Sequence, residues 1–133
     1  MGEETMIRVK SDADIVAARS RGRSLAQKLG FTGTDLVLIA TTLSELARNL
    51  IEHAGEGVIV LGEARNSERQ AIVIVARDEG PGIPNLELAM QDGYSTKRSL
   101  GLGLPGVKRM MDEFEISSTV GQGTTIVAKK WTK

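Results

Sequence analysis

Hydrophobic positions along the chain repeat with two different periods, and the changes between them predict the order of helices and strands. Near the start, Ile7 and Val9 alternate with polar neighbours, which is typical of a strand with one buried face. Apolar residues then recur every three or four positions, which is the period of a helix. The period later returns to two and changes again, so the pattern predicts one compact unit that mixes helices and strands.

Two helices are predicted in the first half of the chain. The first begins after Ser11, where Asp14 completes a capping-box pattern, and Gly30 is a suitable stop. Its apolar stripe consists of Ile15, Ala18, Leu25 and Leu29. The second runs from about Asp35 to Ala54, and its stripe consists of Leu36, Ile39, Ala40, Leu43, Ala47, Leu50 and Ile51. Each helix therefore has one face to bury.

Strands dominate the rest of the chain. They are predicted near Val58–Leu61, Ala71–Ala76, Ile116–Val120 and Thr125–Trp131, with a third helix near Val107–Phe114. This order predicts an α/β (α+β) two-layer sandwich, in which helices cover one face of a mixed, mostly antiparallel sheet.

Composition narrows the class of protein. A chain of 133 residues is expected to form one domain over 1–133. Basic and acidic residues both total 17, so the net charge is zero and predicts no nucleic-acid partner. The absence of cysteine excludes disulfides and thiolate metal sites. The start lacks the apolar core of a signal peptide, and the run "AIVIVA" is too short to span a bilayer, so we expect a cytoplasmic protein that is not in a membrane.

Two glycine-rich stretches, "DEGPGIP" at 78–84 and "SLGLGLPGV" at 99–107, follow the predicted central strand. The string "GLGLPG" matches a dinucleotide fingerprint, but no strand precedes it and no acidic residue lies about 20 positions later. Val107 and Lys108 occupy the places where a Walker A loop has lysine and serine or threonine. The chain also lacks the further motifs of a eukaryotic-type kinase. On these tests alone, both stretches are compatible with simple turns.

The second predicted helix carries a polar row that changes this picture. Glu45, Asn49 and His53 are spaced by four residues and so lie one above another on the helix. Taken alone, such a row is typical of a solvated helix face, with His53 near the carbonyl end. Together with the acid of the "DEGPG" loop and the glycine-rich helix entry, it supplies the parts of a nucleotide site.

These motifs, in this order, resemble the GHKL (Bergerat-fold) ATPase and kinase superfamily. "ELARN" resembles its N box, "DEGPGI" its first glycine box, "GLGLPG" its second and "GQGT" its third. The resemblance spans nearly the whole chain and is closest to the RsbT-type serine/threonine switch kinases of the bacterial stressosome, through "DIVAARSRGRSLAQKLGF" and "GLGLPGVKRMMDEF". It implies a Bergerat-type ATP-binding fold, protein kinase activity, and ATP with Mg²⁺ as cofactors.

The resemblance also implies roles for individual residues. Asp78 would contact adenine, because an ionised carboxylate accepts hydrogen bonds from the exocyclic amine and repels guanine O6. Asn49 would be the metal ligand, and Glu45 the catalytic base. The full set implied to bind nucleotide is Asn49, Asp78, Gly80, Gly82, Ile83, Ser95, Thr96, Gly101, Leu102, Gly103, Leu104 and Thr124. Local alternatives stay open, since Asp78 also fits an Asx-turn after a strand.

The segment between the first two glycine boxes, about residues 83–100, corresponds to the family's lid over the nucleotide. Some relatives place an arginine just before the second glycine box, where this chain has Ser99 and Leu100. Lys97 or Arg98 would then have to contact the terminal phosphate. The resemblance gives His53 a position in the N box but no role.

The absence of a second domain in this chain predicts that the phosphate acceptor is another protein. By resemblance, the partners are STAS-domain antagonist and scaffold proteins, and a PP2C-type phosphatase that the released kinase activates. Arg19, Arg21 and Arg23 form a candidate basic docking patch, although such charges are more often solvated surface. A non-catalytic, ATP-dependent anti-sigma-like binding module is the main alternative, and an ATPase without a protein acceptor is a third.

Overall fold

The computed structural model describes residues 4–83, residue 90 and residues 103–133. Within them, the elements in chain order are β1 (Thr5–Val9), α1 (Asp12–Lys28), α2 (Gly33–Ala54), β2 (Gly57–Arg65), β3 (Gln70–Asp78), α3 (Gly103–Met110), β4 (Glu113–Thr119) and β5 (Gly123–Trp131). Of the predicted lid, 83–100, only residues 83 and 90 lie within this description.

Helix α1 begins and ends at the predicted signals, but its start uses different bonds. Ser11 is the N-cap, yet its side chain caps no backbone N–H of the helix. Asp14 Oδ2 instead accepts hydrogen bonds from the Lys10 amide at 2.9 Å and the Ser11 hydroxyl at 3.2 Å. The Lys10 amide holds the pKa of Asp14 below its ordinary value. At the other end, Gly30 has φ 102°, a conformation in which glycine avoids the strain of a Cβ atom.

The five described strands form one sheet in the order β1-β2-β3-β5-β4, and all four pairings are antiparallel. Because side chains alternate across a strand, Ile74 and Ala76 of β3 lie on the same face as their register partners Ala128 and Ile126 of β5. All four are buried in the core. The same face continues to Asp78, whose partner is Thr124, so the core-facing row leads directly to the first glycine box.

Helices α1 and α2 pack against each other, and α2 lies on strands β1, β2 and β3. The core between them contains Ile39, Leu43 and Leu46 of α2 without measurable exposure. Ile7 and Val9 of β1 are buried as well, as the alternation predicts. The predicted α/β two-layer sandwich is therefore confirmed. In the described part of the chain, no helix is long and apolar enough to cross a membrane.

The predicted bounds of the third helix are wrong. Helix α3 starts four residues before Val107, because Pro105 fits the first turn of a helix, where its missing N–H costs no hydrogen bond. It ends at Met110, and the Asp112 amide then bonds to the Lys129 carbonyl at 2.9 Å. Phe114 consequently belongs to β4. Because the sequence at this point is rich in glycine, its pattern does not indicate where the helix begins.

Candidate active site

Asp78 is the last residue of β3, and backbone bonds fix its carboxylate. Oδ1 accepts a hydrogen bond from the Gly80 amide at 2.9 Å and one from the Thr124 amide at 3.3 Å. Among the described residues, none donates to Oδ2 in addition. The Asx-turn that Asp78 fits after the strand is thus present, and a second hydrogen bond to the same oxygen comes from the backbone of β5. One carboxylate oxygen is anchored to the fold, and the other is left as an acceptor for a ligand.

The third glycine box lies directly beside this carboxylate. Gly123 has φ 130°, and a Cβ atom there would overlap the carbonyl oxygen of Asp78. Only glycine therefore allows β5 to start this close to the end of β3. Thr124, the next residue, is 6 % exposed, and its hydroxyl lies 2.8 Å from the Ser118 hydroxyl.

Ser118 is a site residue that sequence reasoning missed. Its Oγ accepts a hydrogen bond from the Ile83 amide at 2.7 Å and donates to the Gly123 carbonyl at 3.2 Å. It therefore ties the first glycine box to the third. Gly82 packs in the same corner, where a Cβ would lie 2.6 Å from the Thr119 carbonyl oxygen. The signal in the sequence was weak, since Ser118 is one of two adjacent serines and only the strand alternation selects it.

On α2, the polar row divides into a buried and an exposed end. Glu45 is 8 % exposed, Asn49 is half-buried and His53 is exposed. The solvated-face interpretation is therefore wrong for Glu45 and right for His53. Glu45 Oε2 accepts a hydrogen bond from Arg48 Nη1 at 2.8 Å, which forms an ion pair.

Asn49 and Glu45 lie progressively further back along α2 from the end of the helix that contacts the first glycine box. Gly80 packs against Ala54 near the end of α2, where a Cβ on the glycine would lie 2.5 Å from the alanine Cβ. At 1.5 Å per residue, Asn49 lies about 8 Å and Glu45 about 14 Å back along the helix axis from that point. The metal candidate and the base candidate therefore follow one another along α2, starting from the helix end that contacts the loop after Asp78.

The second glycine box is described only in part. Gly103 and Leu104 form the start of α3, and Leu104 is 7 % exposed within the core. The helix dipole at this end favours a phosphate group. Gly101, Leu102, Ser95, Thr96, Lys97 and Arg98 lie outside the described residues, and their predicted contacts with nucleotide remain predictions.

The donor set around Asp78 and Asn49 fits Mg-ATP. Searched over 4–83, 90 and 103–133, the chain has no group of three or more His, Cys, Asp and Glu side chains that would hold a metal alone. Mg²⁺ does not require one, because it usually keeps several waters and binds nucleotide phosphates beside one or two protein oxygens. A single amide oxygen from Asn49 suits that coordination.

A groove of about 780 Å³ adjoins the adenine end of this site. Asp78, Gly80 and Thr124 line its inner part, and it extends past Arg77 onto the sheet face opposite α2. Its volume is adequate for a small molecule. Glu45 and Asn49 do not line it, so the groove does not by itself define the candidate site.

Gly123 and Gly121 offer a matched test of this corner. Both have positive φ, but a Cβ at Gly121 meets no atom within 4 Å. Gly121→Ala should therefore cost only backbone strain, about 1–2 kcal/mol. Gly123→Ala should cost at least about 3 kcal/mol, because it adds the overlap with Asp78. Denaturant unfolding measures both, and equal losses would contradict the close approach of the third glycine box to β3.

Comparisons with known proteins match nearly the whole chain. Residues 9–130 match the family model described as a histidine kinase-like ATPase domain. The chain is 47% identical to the serine/threonine-protein kinase RsbT of Bacillus subtilis, over 98% of this chain and 98% of that protein. It is also 36% identical to the anti-sigma F factor of Priestia megaterium, over 85% of this chain and 81% of that protein.

Solved structures show the same fold at low sequence identity. The RsbU and RsbW domains of a Mycobacterium tuberculosis protein superpose with a TM-score of 0.63 at 15% identity, covering 97% of this chain. This chain spans 32% of that one, about a third of its length. The mycobacterial sensor histidine kinase MprB superposes with a TM-score of 0.53 at 14% identity, covering 98% and 97% of the two chains.

Proposed function

The chain belongs to the histidine kinase-like ATPase domain family and is an ATP-using serine/threonine protein kinase of the RsbT type, and on that premise we propose that it phosphorylates a STAS-domain antagonist or scaffold protein. The observation that carries the proposal is the buried Glu45 carboxylate, on the same helix as Asn49 and about 14 Å from the Asp78 end. A base at that position faces the reacting end of a nucleotide whose adenine is held by Asp78.

In the proposed reaction, the chain's own residues position the nucleotide and remove one proton. Asp78 Oδ2 accepts a hydrogen bond from the adenine amine, and Asn49 would hold Mg²⁺, which would neutralise phosphate charge. Glu45 takes the proton of the acceptor serine or threonine as its oxygen bonds to the γ-phosphorus. The bond from that phosphorus to the bridging oxygen breaks, and its electrons leave with ADP.

The partner proposal extends the RsbT likeness beyond the site. We infer that the protein, when released from its STAS partner, binds and activates a PP2C-type phosphatase, and that it works in the cytoplasm. Arg19, Arg21 and Arg23 are all exposed on α1, but helix geometry turns Arg21 away from the other two. Of these three arginines, Arg19 and Arg23 are therefore the two that can contact the same partner surface.

Replacing Asn49 tests whether this residue is the metal ligand of the site. Asn49→Ala should bind ATP almost equally with and without Mg²⁺, because no other proposed protein ligand links the ion to α2. Native protein should bind more tightly with Mg²⁺. Titration calorimetry in both conditions measures the difference, and His53→Ala, an exposed residue one turn away, is the control that should behave as native. A retained magnesium effect in the Asn49 variant would remove this residue from the metal site.

The likeness to anti-sigma F factors supports a second candidate, a binding module for which ATP only sets the conformation. Incubation with γ-labelled ATP and a lysate of the host separates the two. Label on a serine or threonine of a STAS-domain protein supports the kinase. Stable capture of a partner without label favours the binding module, and label released only as phosphate favours an ATPase without a protein acceptor.

A further inference from the structure

Arg48 forms the one ion pair that the described residues give to the proposed base. Its Nη1 lies 2.8 Å from Glu45 Oε2, and the side chains are 32 % and 8 % exposed. A charge-assisted bond of this length is stronger than one between neutral groups. Since Glu45 is buried, this pair differs from exposed helix pairs, which contribute little.

Only one of the two carboxylate oxygens of Glu45 takes part in this ion pair. Oε2 is occupied by the guanidinium, whereas no residue in the described part of the chain donates a hydrogen bond to Oε1. A base needs one oxygen with a lone pair available to the acceptor hydroxyl. The arrangement therefore assigns the receiving role to Oε1.

Helix geometry places this carboxylate between the proposed metal ligand and the arginine. Relative to Glu45, a step of four residues to Asn49 turns by about +40° around α2, and a step of three to Arg48 turns by about −60°. Arg48 thus reaches the carboxylate from the flank of α2 away from Asn49, the proposed metal ligand. From that flank, Arg48 orients the Glu45 carboxylate without occupying the space proposed for the nucleotide.

We propose that Arg48 is a positioning residue, which fixes Glu45 through Oε2 so that Oε1 receives the proton of the acceptor hydroxyl. The proposal rests on the proposed function, in which Glu45 is the base. The proton moves from the hydroxyl to Oε1, while Arg48 stays on Oε2 and transfers nothing. Misplacing a reacting group by about 1 Å costs on the order of 10²-fold in rate, so the transfer step should depend strongly on this contact.

The test is a double-mutant cycle on Arg48 and Glu45, read by single-turnover transfer to the purified acceptor and by ATP affinity. Arg48→Met should slow transfer by about 10²-fold and leave the ATP dissociation constant within about twofold of native. Arg48→Lys should recover part of the rate, because an ammonium keeps the charge but loses the planar geometry. In a Glu45→Gln background, Arg48→Met should have little further effect, since residues that act as a unit are not additive.

The possible failures are distinguishable. If Arg48→Met alone folds poorly, Arg48→Lys takes its place in the cycle, because the ammonium keeps a charge beside the buried carboxylate. Additive losses, an unimpaired Arg48→Met or a parallel fall in ATP affinity would overturn the positioning role. No transfer by the native protein would overturn the proposed function and this role with it. If the native protein transfers phosphate and Glu45→Gln transfers it equally fast, Glu45 is not the base.

Discussion

Asp78→Ala is expected to weaken ATP binding by about 100-fold or more. The native carboxylate is anchored through Oδ1 by the Gly80 and Thr124 amides, so Oδ2 is fixed in place for the adenine amine. Hydrogen bonds to charged groups contribute about 1.5–3 kcal/mol each, and the variant also leaves both amides without their acceptor. Titration calorimetry gives the affinity directly. Near-native ATP binding by Asp78→Ala would refute the adenine site.

Asp78→Asn is the matched variant, because it keeps the shape and replaces one acceptor oxygen by a donor. In the native protein GTP should compete poorly, by roughly 10⁴-fold, since a well-built polar site rejects a base that leaves it unpaired. In Asp78→Asn, the preference for ATP over GTP should narrow sharply, because the amide N–H donates a hydrogen bond to guanine O6. A preference unchanged by this substitution would place base selection elsewhere.

Glu45→Gln is expected to slow phosphotransfer by about 10²–10⁴-fold, the usual contribution of a general base. The amide keeps the size of the side chain, so ATP binding and recognition of the STAS partner should stay close to native. Single-turnover transfer, calorimetry and a pull-down of the same pair measure the three properties. Glu56→Gln is a suitable control, because Glu56 is 55 % exposed beyond the end of α2 and pairs only with Arg8, at 3.6 Å, among the described residues.

A different pattern would change the assignment. Equal losses of transfer and of ATP affinity in Glu45→Gln would make Glu45 a nucleotide-binding residue. A transfer rate equal to that of the Glu56 control would exclude it from the mechanism altogether.

The fold was predictable from sequence because its elements are strongly periodic. The alternation in β1 is found buried as expected, and so is the long stripe of α2 apart from the partly buried Ala40 and Ile51. The start of α3 was not predictable from period, since three of its first four residues are glycine or leucine in a pattern that also suits a turn. Tertiary packing determines where α3 begins, and Val107 of this helix is fully buried in the core.

The candidate site was predictable in its residue types but not in its contacts. The resemblance supplied Asp78, Asn49 and Glu45, and the structure adds that two amides anchor Asp78. Ser118 and Arg48 were missed, because their importance comes from neighbours that lie far away in sequence or from the burial of Glu45. A helical wheel shows which residues share a face, but it does not show how deeply a neighbouring element covers that face.

The most direct test of the kinase proposal is a single-turnover reaction with the purified native protein, γ-labelled ATP below the enzyme concentration, Mg²⁺ and a STAS-domain partner from the same host. The proposal predicts that label appears on a serine or threonine of the partner, in one exponential phase, before it appears as free phosphate. The same preparation should bind the partner in a pull-down. A partner that binds but stays unlabelled, or label that appears only as free phosphate, would contradict the proposed protein kinase.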